Sequence, residues 1–407
     1  MRKPAFIKST TFWLGAILLL ALAVRLAYLI LVVGPNSFPT NIDSVQHHLI
    51  AQSVVEGNGY SMYGHPTAYR APFLTYFMVI SYEIFGQKFT PVRLGMILLS
   101  LVLIWAIFYL AKQIFTEKVG LWAALMAAVY PHLIFYNARI FTETPFALFI
   151  LLATIFFIRF VRKPKTSSLA ITALFTALAI LTRPVGFVLL GFFVIYLLFR
   201  QPVRHRIRQV SILVVLVILF ISPWIIRNYR VFHRFVPVTT QGALVLWVGN
   251  NHYVAHHPYM KGMNCLYQHL PGARKLITPN EIDRASYSAR FFAEFLREYP
   301  QDIPLLLWNK TVRFWEMSFL TGSSRRWMYE YSYLVILILA IAGIILTLRA
   351  KNPDTIFLWM ILLTNFIPAL IFWAGARIRF PAEPALVIFG ATIIERFSSR
   401  IWQKISS

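Results

Sequence analysis

The stretch from Phe12 to Val33 reads Phe-Trp-Leu-Gly-Ala-Ile-Leu-Leu-Leu-Ala-Leu-Ala-Val-Arg-Leu-Ala-Tyr-Leu-Ile-Leu-Val-Val, 22 residues with one charge, Arg25. A helix of about 20 apolar residues is long enough to cross the hydrocarbon core of a bilayer. Arg2, Lys3 and Lys8 precede the run, as basic residues do in a signal peptide. Its length, its internal arginine and the lack of a small-x-small cleavage site instead predict an uncleaved first transmembrane helix.

The whole chain shares this apolar character. Of its 407 residues, 58% are hydrophobic and 13% are charged, and the mean hydropathy is +0.64. Soluble domains have roughly 45–50% apolar and about 25% charged residues, so the composition excludes a soluble protein. The net charge of +24 indicates a nucleic acid or an anionic membrane as partner, and the repeated apolar runs exclude nucleic acid. The single cysteine, Cys265, excludes an internal disulfide and a CxxC motif.

Apolar runs of this kind recur along the chain, and we predict an α-helical polytopic integral membrane protein with about ten transmembrane helices. Lys and Arg concentrate in the short loops on the side of the N-terminus. The positive-inside rule therefore places these loops and both termini in the cytoplasm. The runs lie near 12–33, 90–111, 119–137, 141–160, 167–182, 184–200, 209–226, 329–348, 355–374 and 380–395.

The predicted spans divide the chain into three parts. Residues 1–226 form a core of seven transmembrane helices with a long outward loop, 34–89. Residues 227–328 form a small mixed α/β extracytoplasmic domain, and residues 329–407 hold the last three helices and a basic tail.

Local patterns predict two helices in the first outward loop. Residues 43–56 are polar and helix-like, and a Gly-rich turn, Gly57-Asn58-Gly59, follows them. Residues 72–86 are apolar and predict a helix that lies in or dips into the membrane interface.

The domain at 227–328 has its own signals. Residues 235–248 alternate as a strand does. Thr278-Pro-Asn-Glu281 predicts an N-cap, a proline at the first helical position and a capping box, for a helix that ends at Glu298. A more apolar helix covers 303–320.

Ionisable residues gather at the outward ends of the predicted spans, where such costly groups mark functional sites. Seven of the nine are arginines, which bind phosphate or pyrophosphate through forked, charge-assisted hydrogen bonds. The alternative is that they snorkel to lipid headgroups, which explains less well why several of them lie beside a proline. The nine residues are Asp43, Arg70, Arg93, Arg139, Glu143, Arg183, Arg227, Arg377 and Arg379.

The two acids of this set have open interpretations. Asp43 is the only aspartate of the first outward loop, and nearby arginines would keep it ionised, which makes it the candidate general base. A helix N-cap is a compatible role. Glu143 either pairs with Arg139 one turn earlier on the same helix face or acts directly in catalysis.

Outward histidines raise the question of a metal. His47 and His48 are adjacent, and His252 and His256 have i,i+4 spacing with His257 beside them. No ligand pattern such as HExxH is present. We predict no metal ligand and no certain cofactor, and leave a divalent metal as an open alternative.

Several motifs together resemble those of a known superfamily. The segment Asp43…Gly57-Asn-Gly-Tyr60…Tyr69-Arg70-Ala-Pro72 is similar to the first periplasmic loop of bacterial GT-C glycosyltransferases, in the branch related to protein O-mannosyltransferases and to the aminoarabinose transferase that modifies lipid A. The ordered set covers about positions 40–390 and is specific for the superfamily but not for a substrate. The other motifs are Thr142-Glu143-Thr144, Leu181-Thr182-Arg183-Pro184, Pro223-Trp224-Ile-Ile-Arg227-Asn228-Tyr229, Leu246-Trp-Val-Gly249-Asn250-Asn251 and Arg377-Ile-Arg379-Phe-Pro381.

The resemblance implies an inverting glycosyltransferase that moves a sugar from a polyprenyl-phosphate donor to an acceptor on the outer face of a bacterial inner membrane. Asp43 matches the family's catalytic aspartate, and Ser44 stands where many members have a second acid. The acceptor, which is a lipid, a protein or an envelope glycan, is not specified. The predicted donor-phosphate ligands are Arg70, Arg93, Arg183, Arg227 and Arg379, and the predicted supporting residues are Tyr69, Arg139, Glu143, Asn228 and Arg377.

Two other functions are compatible with a lipid-linked sugar. A transporter or flippase often has pseudo-repeated halves and ionisable residues near the midplane, whereas this sequence has no visible repeat and its charges cluster at one face. A polymerase or ligase of lipid-linked oligosaccharides shares the phosphate chemistry but lacks the ordered motifs. Both stay open as alternatives.

Overall fold

The computed structural model describes residues 10–200, 203–270, 272–278, 280–317 and 326–406. Arg2, Lys3 and Lys8, which support the predicted orientation, lie outside these ranges. The α-helices are α1 Thr10–Tyr28, α2 Ile42–Val55, α3 Pro72–Phe85, α4 Phe89–Ile114, α5 Glu117–Val129, α6 Pro131–Asn137, α7 Glu143–Arg162, α8 Thr166–Thr182, α9 Gly186–Arg200, α10 Val203–Phe232, α11 Gly242–Val248, α12 His252–His256, α13 Glu281–Glu298, α14 Asp302–Trp315, α15 Arg326–Arg349, α16 Ile356–Ile371, α17 Ala376–Arg379 and α18 Glu383–Ser406.

The described helices confirm a polytopic α-helical membrane protein. Three shorter apolar helices, α3, α8 and α9, accompany six that are long and apolar enough to cross a membrane. The predicted number of ten spans and the three-part domain division stay predictions. The six long helices are Thr10–Val33, Phe89–Ile114, Glu143–Arg162, His205–Phe232, Arg326–Arg349 and Pro353–Ile371.

One predicted span, 119–137, is divided in two. α5 ends at Val129 and α6 begins at Pro131, and Tyr130 between them is extended, with φ −69° and ψ 117°. Proline has no backbone N–H and disfavours helical geometry in the residue before it. The apolar run therefore forms two shorter helices.

α7 occupies the interior of the bundle and carries Glu143 as its first residue. Nearly all of its residues are buried, and it packs against α4, α8 and α16. A helix that is apolar on all sides is typical of this position. Glu143 is therefore buried at the start of α7.

The first outward loop contains both predicted helices, as α2 and α3. Between them, the strands Ser61–Met62 and His65–Pro66 form an antiparallel hairpin. Tyr63 and Gly64 turn the hairpin with φ of 55° and 79°, the left-handed geometry of a type I′ turn.

The predicted strand at 235–248 is wrong. Residues 242–248 form α11, in which Leu244 and Trp247 are buried at helical i,i+3 spacing. A short apolar run carries both periodicities, and packing selects one of them. In the described part of 227–328 there is no strand, so the predicted mixed α/β domain is helical there.

The predicted start of α13 is also wrong. The N-cap is Asn280, whose side chain accepts a hydrogen bond from Ile282 N at 2.9 Å, and not Thr278. Asparagine is among the residues that cap best. The helix ends at Glu298 as predicted, and Pro279 lies outside the described residues.

α14 corresponds to the predicted helix 303–320 but is shorter. It ends at Trp315, and Glu316 is extended, with φ −63° and ψ 146°. Residues 318–320 lie outside the described ranges. Lys310 of α14 is buried, and its Nζ donates to Leu370 O at 3.0 Å, which attaches this region to the end of α16.

Candidate active site

Asp43 lies in the first turn of α2, where Asn41 caps the helix. The Asn41 side chain accepts a hydrogen bond from Asp43 N at 2.9 Å. Asn41 is therefore the N-cap, and the Asp43 carboxylate is free for other partners. Next to it, Ser44 Oγ donates to Ile140 O at 2.6 Å and ties α2 to the segment before α7.

Two arginines from distant parts of the chain bind the Asp43 carboxylate. Arg377 Nη1 lies 2.6 Å from Asp43 Oδ2, and Arg70 Nη2 donates to Asp43 Oδ1. Arg70 Nε also donates to Gln46 Oε1 at 2.8 Å, one turn along α2. The Asp43 side chain is 23% exposed, so the carboxylate is accessible from outside.

Arg377 also binds the second acid, Glu143. Its Nε donates to Glu143 Oε1, and Arg183 Nη1 lies 3.2 Å from the same oxygen. Glu143 is fully buried, and two guanidinium groups offset the cost of burying its charge. We name Asp43, Arg70, Glu143, Arg183 and Arg377 the ionic cluster.

Of the two roles left open for Glu143, the pairing with Arg139 does not occur. α6 ends at Asn137 and α7 begins at Glu143, so the two residues do not share a helix face. Arg139 instead lies over the Phe135 ring, 4.3 Å from its centroid. Because the helix breaks between α6 and α7, Glu143 pairs with Arg183 and Arg377, which come from later parts of the chain.

The ionic cluster shifts the titration of its own members. Burial raises the pKa of Asp43, but the charges of Arg377 and Arg70 outweigh burial and hold this pKa well below its usual range. Burial lowers the pKa of Arg377, and the charges of Glu143 and Asp43 more than compensate, so this pKa is raised. Burial, together with the charge of Arg70, lowers the pKa of the nearby His47 to about 3. At neutral pH, Asp43 is therefore anionic and His47 is neutral.

Arg227 lies outside the ionic cluster and holds the first outward loop. Its Nη1 donates to Thr67 O at 2.7 Å and its Nη2 to Tyr60 O at 2.8 Å. The guanidinium carbon lies 5.1 Å from the Trp224 ring centroid. Arg227 thus fixes the segment that leads to Arg70.

Arg93 and Arg379 also bind backbone carbonyls. Arg93 donates to the carbonyls of residues 34, 35 and 37. Arg379 is fully buried, donates to Glu316 O at 2.7 Å and pairs with Glu383 at 3.0 Å. Of the five predicted phosphate ligands, the described contacts bring Arg70 and Arg183 into the ionic cluster. The other three lie on α4, α10 and α17 and bind backbone carbonyls instead.

The two uncharged supporting residues lie beside arginines. The Arg70 guanidinium carbon lies 5.2 Å from the Tyr69 ring centroid. Asn228 Oδ1 accepts from Arg227 Nη1 at 3.1 Å, and its Nδ2 donates to Val236 O at 3.0 Å. Tyr69 therefore contacts a cluster residue directly, whereas Asn228 acts through Arg227.

A cavity of about 290 Å³ opens beside the first turn of α2. The end of the first helix lines it with Val33, and α2 lines it with Ser44, the neighbour of Asp43. Arg93 and Arg139, two of the predicted site residues, form part of its wall. The cavity is thus positively charged and lies between the first helix and α2.

Glu281 positions the segment that carries Arg70, although the sequence pattern indicated only a capping box at this residue. It accepts hydrogen bonds from Ala68 N at 3.0 Å, from the Thr240 hydroxyl at 2.7 Å and from the Thr67 hydroxyl. Thr67 and Ala68 directly precede Tyr69 and Arg70. Glu281 therefore ties α13 to the segment that carries Arg70, a contact that no local pattern encodes.

The ionic cluster has too few ligand-type side chains to hold a metal ion on its own. It contributes two carboxylates, and the guanidinium of Arg377 bridges them. The candidate ligands His47 and His48 are buried against Thr75 and Tyr82. Within the described ranges, one group of three ligand-type residues lies elsewhere, at His252, His256 and Asp302.

Part of the chain matches a known sequence family. Residues 65–226 match the family described as dolichyl-phosphate-mannose-protein mannosyltransferase. Among curated proteins, none matches this chain in sequence.

Solved structures of two kinds of transferase are similar to this chain at low sequence identity, and those of the oligosaccharyltransferase share its fold. The oligosaccharyltransferase AglB from Archaeoglobus fulgidus, in complex with an inhibitory peptide and a dolichol-phosphate, is 13% identical with a TM-score of 0.57, over 97% of this chain and 52% of AglB. The apo form from the same organism is 14% identical with a TM-score of 0.57, over 99% of this chain and 52% of that one. ArnT from Cupriavidus metallidurans, bound to undecaprenyl phosphate, is 14% identical with a TM-score of 0.48, over 96% of this chain and 79% of ArnT. The chain spans about half the length of the oligosaccharyltransferases.

Proposed function

We propose that this chain, a member of the GT-C superfamily by its matched segment and its fold, transfers a sugar from a polyprenyl-phosphate donor to an acceptor. One observation carries the proposal. The ionic cluster gathers three arginines and two acids from separate parts of the chain, and one of these acids, Asp43, has a partly exposed carboxylate.

The ionic cluster has the charge balance that phosphate departure requires. Its three guanidinium groups exceed its two carboxylates by one positive charge. A sugar phosphodiester carries one negative charge, and the polyprenyl phosphate that leaves carries up to two. Interactions that strengthen as this charge develops accelerate the step, whereas equal binding of substrate and transition state does not.

In the proposed step, an acceptor hydroxyl or amine attacks the anomeric carbon of the donor from the face opposite the phosphate. A bond forms between the acceptor atom and this carbon. The bond from the carbon to the phosphate oxygen breaks, and the phosphate keeps the electron pair. The proton of the acceptor passes to Asp43, and the anomeric configuration is inverted.

The low pKa of Asp43 makes it a weak base as long as Arg70 and Arg377 hold it. A donor phosphate competes for the same two guanidinium groups, since it accepts the same forked hydrogen bonds. When the phosphate takes them, Asp43 loses stabilising charge and its pKa rises towards the ordinary value. We therefore assign the donor a second role, which is to activate the base.

The other predicted residues take different places in this proposal. Arg183 supports Glu143 and with it Arg377. Arg93, Arg227 and Arg379 stay predicted phosphate ligands, and each of them already donates to backbone carbonyls.

We place the reaction on the extracytoplasmic face of a bacterial inner membrane, with both termini in the cytoplasm. The distribution of Lys and Arg among the short loops supports this orientation. Glu143 at the start of α7 and Arg183 at the end of α8 then lie at the outward ends of their helices. The acceptor is a lipid, a protein or an envelope glycan.

Gene deletion followed by mass spectrometry of polyprenyl-phosphate sugars and envelope glycans tests the proposal. We expect one polyprenyl-phosphate sugar to accumulate and one glycan to lose a sugar. The wild-type gene should reverse both changes, and so should Asp283→Asn, a control at an exposed aspartate of α13. Unchanged lipids and glycans would contradict the proposal, and a donor that accumulates only on the cytoplasmic face would favour the flippase alternative.

A further inference from the structure

Two imidazoles and one carboxylate meet in the region between α11 and α15, and none of them belongs to the ionic cluster. His252 Nδ1 lies 2.7 Å from Asp302 Oδ2, and His256 Nε2 lies 3.0 Å from Asp302 Oδ1. One ligand-type atom of each residue lies within 4.8 Å of the other two. Both histidine side chains are about half exposed, at 53% and 51%, whereas Asp302 is buried. The group therefore has one face open to solvent.

Separate elements hold the three side chains. His252 and His256 occupy the two ends of α12, and i,i+4 spacing puts both on the same helix face. Asn251 caps this short helix by accepting from Val254 N at 2.8 Å. Asp302 is the first residue of α14, so its carboxylate approaches the imidazoles from a different part of the chain.

Neighbouring contacts fix the relative positions of α12 and α14. The Tyr299 ring stacks on His252 with 4.5 Å between centroids, and the Tyr299 carbonyl accepts from Asp302 N at 3.1 Å. Asn309 Nδ2 donates to Ala255 O at 3.2 Å. Supporting contacts of this kind hold metal ligands in place before an ion binds.

We propose that His252, His256 and Asp302 bind one divalent transition-metal ion, and that this ion is Zn²⁺. Imidazole nitrogens and carboxylate oxygens are ligands of Zn²⁺ at roughly 2.0–2.2 Å. At these bond lengths, ligand atoms of a tetrahedral site lie about 3.4 Å apart. The separations of 2.7 and 3.0 Å here need only small side-chain rotations to admit the ion. Water takes the fourth position on the exposed side.

A plain pair of hydrogen bonds is the competing explanation. In that case each imidazole donates an N–H to one oxygen of Asp302, and no ion is involved. The metal site predicts stoichiometric binding of Zn²⁺, whereas the pair of hydrogen bonds predicts none. A measurement of metal binding therefore distinguishes the two.

We assign the ion a structural role, because the region it cross-links contacts the end of α16 and the segment that leads to Arg377 on α17. Gly262 O accepts from Ala374 N at 2.8 Å, and Lys310 Nζ donates to Leu370 O at 3.0 Å. Gly262 lies in the chain between α12 and α14, and Lys310 lies on α14. Bound metal therefore stabilises this region against unfolding, whether or not the protein transfers a sugar.

The test uses the full chain in detergent, stripped with EDTA and dialysed against Zn²⁺ or Co²⁺. We expect one bound ion per chain, the visible absorption of four-coordinate Co²⁺, and a higher thermal unfolding temperature with metal. The double variant His252→Ala, His256→Ala should lose all three signals. His269→Ala, which removes an exposed histidine outside the group, should keep them.

Asp302→Asn provides a second variant that keeps the side-chain volume. It still accepts a hydrogen bond from an imidazole, but it lacks the carboxylate charge, so Zn²⁺ affinity should fall at least about tenfold in a folded protein. The proposal is overturned if the wild-type chain binds no stoichiometric Zn²⁺, or if the double variant binds it as tightly as the wild type.

Discussion

Arg377 Nη1 lies 2.6 Å from Asp43 Oδ2, and the same guanidinium donates through Nε to Glu143. One side chain thus joins a partly exposed acid on α2 to a fully buried acid at the start of α7. Any anion that draws Arg377 away from Asp43 changes the charge balance at both acids. This relationship is the basis for the first three predictions.

Asp43→Asn removes the proposed base and keeps the size of the side chain. We expect sugar transfer to fall by about 10²–10⁴-fold, the range for loss of a general base, with normal expression. Native mass spectrometry with undecaprenyl phosphate should show binding at least as tight as that of the wild type, because the Asp43 carboxylate no longer competes for Arg70 and Arg377. Asp283→Asn is the matched control, and substantial transfer by Asp43→Asn would remove this residue from the mechanism.

Arg377→Ala leaves Asp43 with Arg70 alone and withdraws one guanidinium from the departing phosphate. We expect kcat to fall by about 10²–10³-fold, as on loss of one charge-stabilising donor. Arg377→Lys should recover only part of the rate, because an ammonium cannot form a forked contact with two acids. Arg290→Ala, at an exposed position of α13, should have no effect, and a wild-type rate for Arg377→Ala would exclude the proposed role.

Glu143→Gln keeps the volume of a buried side chain but removes its charge. Arg377 and Arg183 then face each other with one carboxylate fewer, so the variant should lose about 3 kcal/mol of stability, the lower end of the cost of breaking a buried ion pair. Thermal unfolding in detergent measures the loss. Glu294→Gln on the exposed side of α13 is the control, and equal unfolding temperatures for both variants would contradict the burial argument.

Glu281→Ala removes the acceptor of Ala68 N and of two threonine hydroxyls. The buried amide then lacks a partner, which costs about 1–3 kcal/mol. Hydrogen exchange of residues 60–70 should speed up, while exchange in α7 stays as in the wild type. Glu298→Ala, at the exposed end of α13, should leave exchange unchanged in residues 60–70 and in α7. If Glu281→Ala keeps the wild-type protection of residues 60–70, Glu281 is not needed to hold the first outward loop in place.

Stability should fall at acid pH because His47 is buried in its neutral form. Its pKa is lowered from 6.5 to about 3, so below pH 6.5 the unfolded chain binds a proton that the folded chain does not. Stability from this group is complete above pH 6.5 and declines as the pH falls towards 3, by at most about 1.4 kcal/mol per pH unit. Thermal unfolding between pH 7 and pH 4 measures the slope, and His47→Gln should reduce it, whereas an unchanged slope would exclude His47 as its source.

Patterns over short stretches of sequence were sufficient to predict a membrane protein and the positions of many of its helices. Length and hydropathy decide whether a run such as 12–33 can cross a bilayer. The order of motifs predicted the GT-C superfamily, and the family match over residues 65–226 and the shared fold support this prediction. Asp43 and Arg70 were candidates for the same reason, since both lie in one continuous motif. The strand expected at 235–248 failed because a short apolar run fits two periodicities, and only the burial of Leu244 and Trp247 selects the helix.

The partners of the charged residues were decided by tertiary structure alone. Sequence spacing offered Arg139 as one possible partner of Glu143, but the helix breaks between α6 and α7. The packing of α8 against α7 supplies Arg183 instead, and α17 supplies Arg377. The meeting of His252 and His256 with Asp302 has the same origin. Hydropathy and capping act over a few residues and can be read along the chain. A buried charge pairs with an opposite charge that lies close to it in space. The packing of the helices sets the distance between the two charges, and no single segment of sequence determines that packing.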